Sequence, residues 1–244
     1  MINPASLLAI FKPPGRRSPY SRLNPMARFT SFLTFLIAPI LSADIFFQLS
    51  LFGAQFPLVY LSYSRRRLLT SLKSSVILIF LIFGLNYLTV KDIYFSGSMV
   101  LRLINMITAS AIFMASTDPS ELGDILTKLK IPYHIAFAFV IALRFIPTLA
   151  EDVEYVIASQ ASRGLEMEGG KLMERTKKLV PLLVPLIIIA IRRGYQLAEA
   201  LESRAFGSSD KRSYYVEYSW SRWDYLLILY SLIIVALIIS TIAL

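Results

Sequence analysis

Three carboxylates crowd into four positions, Glu151, Asp152 and Glu154. Neighbouring acids do general acid–base work when their surroundings drive their pKa values apart. Acids that open a helix, however, are ordinarily electrostatic caps on the positive end of its dipole, and these three are read that way. His134 is the sole histidine and the chain has no cysteine, so neither a histidine-based metal cluster nor a thiolate site is expected. Gly169-Gly170-Lys171 hints at a phosphate loop. Such a loop needs glycine at 165 and Ser or Thr at 172, where Leu165 and Leu172 stand. Asp44 and Asp92 fall near the ends of apolar stretches, where carboxylates sit at an interface and do not relay protons. These residues point away from catalysis.

Two arginines carry a stronger pattern. The segment Glu151–Arg163 ends in Ala161-Ser162-Arg163-Gly164, and Pro185–Arg204 ends in Glu202-Ser203-Arg204-Ala205-Phe206-Gly207. Each places an arginine with small neighbours in the last turn of an expected helix, where the dipole favours a cation. Gly164 can supply a left-handed C-cap, and Gly207 lies just beyond the second end. Ordinary capping accounts for one such end. Two, 41 residues apart with matching neighbours, ask for a shared task.

The elements that must position them follow from composition. Mean hydropathy is +0.61 and 56% of the 244 residues are hydrophobic, against 45–50% in an ordinary soluble domain. Apolar stretches approach or exceed the roughly 20 residues that cross hydrocarbon as a helix. Spans are expected at about Phe29–Ala43, Ile45–Tyr63, Ser75–Val90, Met99–Ser116 and Asp224–Leu244, with loops at 64–74 and 91–98. Asp118-Pro119-Ser120-Glu121 reads as an N-cap, a first-turn proline and a capping box. Leu122, Ile125, Leu126 and Leu129 then recur at helical spacing, giving an amphipathic helix. The expected class is all-α: a polytopic helical membrane protein with a helical module on the cytoplasmic side.

Charge orients it. Residues 1–149 hold 14 basic and 5 acidic residues, while 150–244 hold 11 of each. The basic arm at Lys12, Arg16 and Arg17 and the run Arg65-Arg66-Arg67 place the N-terminus and the loop 64–74 inside. The arm is read as a tail near anionic lipid and not as a signal peptide. Counting onward, the fourth span returns the chain to the cytoplasm near Thr117. Ile131–Pro147, apolar but carrying His134 and Arg144, is expected not to cross, which keeps residues 117–223 cytoplasmic. The expected domains are thus a basic arm (1–28), four spans (29–116), a region of amphipathic and further helices (117–223) and a last span (224–244). Basic residues and aromatics are not interleaved as on a nucleic-acid platform, so no nucleic-acid partner is expected.

Five linked motifs give the chain a family resemblance. They are Leu23-Asn24-Pro25-Met26-Ala27-Arg28, then Ser116 to Leu122, then Ala142-Leu143-Arg144-Phe145-Ile146-Pro147-Thr148-Leu149. The last two are Gln160 to Gly164 with Glu202 to Phe206, and Pro181 to Pro185 followed by Arg192-Arg193 and Ala198-Glu199-Ala200. In order and spacing the chain resembles the T component of energy-coupling-factor transporters, a group that includes membrane subunits of cobalt and biotin importers. It departs from the two Ala-Arg-Gly signatures: Ser162 and Ser203 replace alanine, and Ala205 replaces glycine.

The resemblance implies a non-catalytic subunit that joins a small integral-membrane S component, which captures a vitamin or metal ion, to two cytoplasmic ABC-type ATPases. Two coupling helices lie across each other, each pressing an arginine end into one ATPase. Arg163 and Arg204 would dock, flanked by Ser162, Gly164, Ser203 and Ala205, with Gln160, Arg144, Pro147, Arg192 and Arg193 as support. A guanidinium suits that task through its planar, bidentate donors. The chain itself is expected to bind no cofactor, ATP being held by the partners. The competing readings are a secondary carrier, which should show ionisable residues in mid-span, and a membrane scaffold uncoupled from ATPases.

Overall fold

The computed structural model describes residues 18–164, 172–208 and 218–242. Nine α-helices lie among them: α1 Pro25–Leu41, α2 Ile45–Leu61, α3 Arg65–Ser74, α4 Val76–Val90, α5 Ile93–Ser116, α6 Pro119–Lys128, α7 Tyr133–Ser162, α8 Leu172–Glu202 and α9 Arg222–Ile242. No strand occurs among the described residues, and the all-α class holds. They fall into two compact units, residues 18–136 with 218–242 and residues 137–164 with 172–208.

In the first unit α5 is the central element, packed by α1, α2, α3 and α4, while α9 packs on α1. Its apolar core joins Phe35 and Ala38 of α1, Phe47, Leu51 and Leu58 of α2, Ala109 and Ile112 of α5, and Leu227 of α9. Helices α1 and α2 have 17 residues each, or about 25 Å at ~1.5 Å per residue, short of a ~30 Å hydrocarbon core. A short helix leaves its terminal carbonyls at membrane depth, where no water satisfies them. Here side chains do so. Gln48 Nε2 donates to the Pro39 and Ser42 carbonyls at 2.8 Å each. Arg102 Nε donates to Pro39 O at 2.7 Å, and its Nη2 to Ile40 O at 2.6 Å. Asn105, fully buried, completes the set by donating to Gln48 Oε1 at 3.0 Å.

The structure departs from the sequence reading at both loops. Residues 64–74 are not a loop but contain the helix α3, which meets α4 at 55°. Leu68, Leu69 and Leu72 give it an apolar face, and Arg66, Thr70 and Lys73 a polar one. The loop 91–98 shrinks to Lys91 and Asp92. Lys91 takes a left-handed conformation (φ +57°) to close the turn, and Asp92 caps α5 by accepting from Tyr94 N at 2.8 Å.

The expected capping box of α6 is present: Glu121 Oε2 accepts from Asp118 N at 3.0 Å. α6 packs on α1 with Ile125 buried. Burial raises the Asp124 carboxyl pKa on this helix, and nearby Lys128 offsets part of the rise. By length and composition alone, α5, α7 and Val180–Glu202 could each cross a membrane, as could the bent α3–α4 pair counted as one span.

Candidate coupling ends and the Arg28 junction

Proline and arginine chemistry build a junction where three spans begin or end. Asn24 caps α1, its Oδ1 accepting from Met26 N at 3.0 Å with Pro25 at the first helical position. Arg28, one turn later, is wholly buried. Its Nη2 pairs with Glu121 Oε1 at 2.9 Å, and its Nε donates to Leu23 O at 3.1 Å. Its Nη1 reaches the Ser116 carbonyl at the end of α5 and Thr117 Oγ1. One guanidinium therefore ties the start of α1, the end of α5 and the capping box of α6. A buried charge needs such extensive hydrogen bonding, because desolvation is otherwise uncompensated. Asp224, also buried, adds α9: its Oδ1 accepts from Asn24 N at 2.7 Å and its Oδ2 from Ser221 N at 2.7 Å. The first two sequence motifs thus form one structural node. Asp224, which joins residues 200 apart, carries no local signal that would single it out.

In the second unit, helices α7 and α8 run antiparallel. Phe206, just past the end of α8, stacks on Phe137 near the start of α7 with ring centroids 4.7 Å apart. Fifteen residues further along α7, Asp152 Oδ1 pairs with Arg193 Nη2 at 2.7 Å. The expectation that Glu151, Asp152 and Glu154 cap a helix start is corrected here. α7 begins at Tyr133, so these acids lie deep in a continuous 30-residue helix, and Asp152 serves as an interhelical tie. The apolar stretch 131–147 and the segment 151–163 are accordingly one helix, with Pro147 inside it.

The two arginine ends match closely. α7 stops at Ser162, and Arg163 N bonds Gln160 O at 3.1 Å while Gly164 N bonds Ala161 O at 2.9 Å. α8 stops at Glu202, where Arg204 N bonds Leu201 O at 3.1 Å, Ala205 N bonds Glu202 O at 2.9 Å and Phe206 N bonds Leu201 O at 3.0 Å. The last two bonds are the Schellman pattern, which needs a left-handed residue at the position after the cap. Gly164 fills it at φ +89° and Ala205 at φ +55°. Ser162 Oγ donates to Ala158 O and Ser203 Oγ to Ala200 O, each at 3.0 Å. Both serines thus bond back into their own helices and leave the arginines outward. The arginines sit just beyond their helices and not within the last turns as expected, because the chain reverses at the left-handed residue.

Arg163, Arg204 and their small neighbours are exposed, and neither guanidinium has a hydrogen-bond or ion-pair partner among the described residues. The tie is symmetric: Asp152 lies eleven residues before Arg163, and Arg193 eleven before Arg204. Each end is therefore roughly 16 Å of helix from the ion pair. The two contacts run in opposite chain order, so the two ends lie on opposite sides of the tie. Of the expected supporting residues, Gln160 gives its carbonyl to Arg163 N and Arg193 makes the tie. Arg144 and Arg192 are exposed, and Pro147 is half-buried in α7. His134 is exposed on α7. Among the described residues no group of His, Asp or Glu could hold a metal. The basic arm at Lys12, Arg16 and Arg17 and the Gly169-Gly170-Lys171 segment lie outside the described residues.

Comparison with known proteins identifies the family. A family profile described as CbiQ, cobalt transport protein, matches residues 16–216. Proteins described as energy-coupling factor transporter transmembrane protein EcfT are similar to the chain. The one from Thermosediminibacter oceani is 34% identical over 191 residues, 66% of this chain and 72% of the relative. That from Ruminiclostridium cellulolyticum is 35% identical over 151 residues, 59% of this chain and 57% of the relative. The Bacillus subtilis protein is 35% identical over 146 residues, 57% of this chain and 55% of the relative. The chain thus spans little more than half the length of two of these three relatives. The profile covers the junction at Arg28 and both arginine ends, and the chain belongs to the CbiQ cobalt transport protein family, multi-pass proteins of the cell membrane.

Proposed function

We propose that this chain is the transmembrane coupling subunit of an energy-coupling-factor importer. It does no chemistry. Two ABC-type ATPases, which hold the ATP, dock on the Arg163 and Arg204 ends, and the membrane helices hold a small S component that captures a vitamin or a transition-metal ion. The observation that carries this reading is the pair of matched, outward arginine ends on helices tied at equal distances from both. An exposed guanidinium on a rigid helix end can enter a groove and make bidentate, charge-assisted bonds. The helices give it leverage, since α7 alone has 30 residues, or about 45 Å.

A secondary carrier fits less well. Its pathway would need ionisable groups free in mid-span. In the first unit Arg28, Arg102 and Asp224 are instead committed to backbone groups and to Glu121, and the docking reading keeps Arg144 of α7 out of the membrane. The docking reading places residues 150–222 on the cytoplasmic side. Native mass spectrometry of the complex solubilised from its own cells tests the stoichiometry. The expected species has one copy of this chain and two ATPase subunits, and a stable one-to-one complex contradicts it.

A further inference from the structure

A groove opens between α2 and α3, where the chain passes from one helix to the other. Its floor and walls are almost wholly apolar, formed by Phe52 and Phe56 of α2 and by Leu68 and Leu69 of α3. Leu69 is 59% exposed and Phe56 65%, so the groove is open on its outer side. Its rim is cationic. The Arg65 guanidinium lies over the Tyr60 ring, 4.8 Å from the centroid, and Arg66 beside it is exposed. A guanidinium held on a ring face keeps its N–H edge free to donate.

The surrounding charge is one-signed. From Ile45 to Lys91 the sequence has no Asp or Glu, yet contains Arg65, Arg66, Arg67, Lys73 and Lys91. Arg67 is occupied with the Met114 carbonyl, which pins α3 to α5 and leaves Arg65 and Arg66 facing outward. A short amphipathic helix with a basic polar face, bent 55° from the span that follows, has the form of a segment lying in the lipid headgroup plane.

We propose that this groove is a binding site for one anionic phospholipid of the cytoplasmic leaflet. An acyl chain lies against Phe52, Phe56, Leu68 and Leu69, and the headgroup phosphate is held by Arg65 and Arg66. A zwitterionic lipid supplies the same chain but lacks the net charge that a rim without acids selects. The site is independent of ATPase docking.

Native mass spectrometry of the full chain in a neutral maltoside detergent, titrated with phosphatidylglycerol or phosphatidylcholine, tests it. One phosphatidylglycerol should be retained in preference to phosphatidylcholine. Arg65→Ala with Arg66→Ala should weaken that retention roughly 30-fold, the combined effect of two basic residues at a lipid surface. Leu69→Trp fills the groove without changing charge and should also expel the lipid. Lys91→Ala, which removes one positive charge at the other end of α4, should leave retention unchanged. Equal retention of phosphatidylcholine, undiminished binding in the arginine double variant, or displacement of the lipid by millimolar inorganic phosphate would each overturn the proposal.

Discussion

Ala205 occupies a backbone conformation that an L-residue with a Cβ resists, so Ala205→Gly should tighten the end of α8. Its φ of +55° lies in the left-handed region, where a non-glycine residue is destabilised by about 1–2 kcal/mol. Glycine also gains freedom in the unfolded chain, which returns about 0.4–1 kcal/mol of that. The net expected gain is about 0.5–1 kcal/mol, or roughly two- to fivefold in a local opening equilibrium. The readout is the exchange rate of the Phe206 amide, which donates to Leu201 O only while the Schellman turn is closed. Exchange should slow roughly two- to fivefold. Gly164→Ala is the mirror experiment. A Cβ there would meet nothing within 4 Å, so in the folded state its effect is backbone strain, and the amide of residue 164 should be less protected by a similar factor. An unchanged or faster Phe206 amide in Ala205→Gly would refute the argument, since the turn would then be held by something other than the backbone angle.

Three further outcomes follow. Asp152→Ala should broaden the distance distribution between spin labels on Ser162→Cys and Ser203→Cys, and Asp152→Arg with Arg193→Asp should narrow it again. A distribution unaffected by Asp152→Ala would rule out the tie. Glu121→Gln leaves Arg28 buried without its counter-charge and should lower unfolding stability in detergent by roughly 3–5 kcal/mol; a change below about 1 kcal/mol would show that the carbonyl bonds suffice. In intact cells, Ser208→Cys should resist an impermeant thiol reagent if this segment lies inside as proposed, and the native chain has no cysteine to give background labelling. Labelling there would reverse the proposed topology.

Local chemistry in the sequence predicts local structure well. The Asp118 to Glu121 capping box and the Gly164 cap each depend on residues within one turn, and both stand in the structure. α3 is hidden in the sequence because three consecutive arginines and two serines mask a helical repeat only ten residues long. The acids at 151–154 were misplaced for a different reason. Pro147 suggests a helix boundary, but the helix runs through it, so an apparent first turn lies mid-helix. The partner of Asp152 is 41 residues away, the same offset that separates Arg163 from Arg204. That shared offset is the one signal that could have paired them. Arg28 with Glu121, and Asn24 with Asp224, depend on the packing of spans that meet only in three dimensions.

The central claim is that Arg163 and Arg204 dock ATPases and do more than end their helices. A cation at a helix end contributes about 0.3–1 kcal/mol, and lysine supplies it nearly as well. A buried, hydrogen-bonded interface arginine is worth about 2–5 kcal/mol when truncated, and lysine lacks the fork that replaces it. The decisive measurement is the affinity of the ATPases for the membrane-inserted double variant Arg163→Lys with Arg204→Lys. The account predicts binding weakened at least roughly tenfold relative to the parent, with transport lost. Parental affinity and transport in that variant would contradict it and leave the two arginines as helix caps.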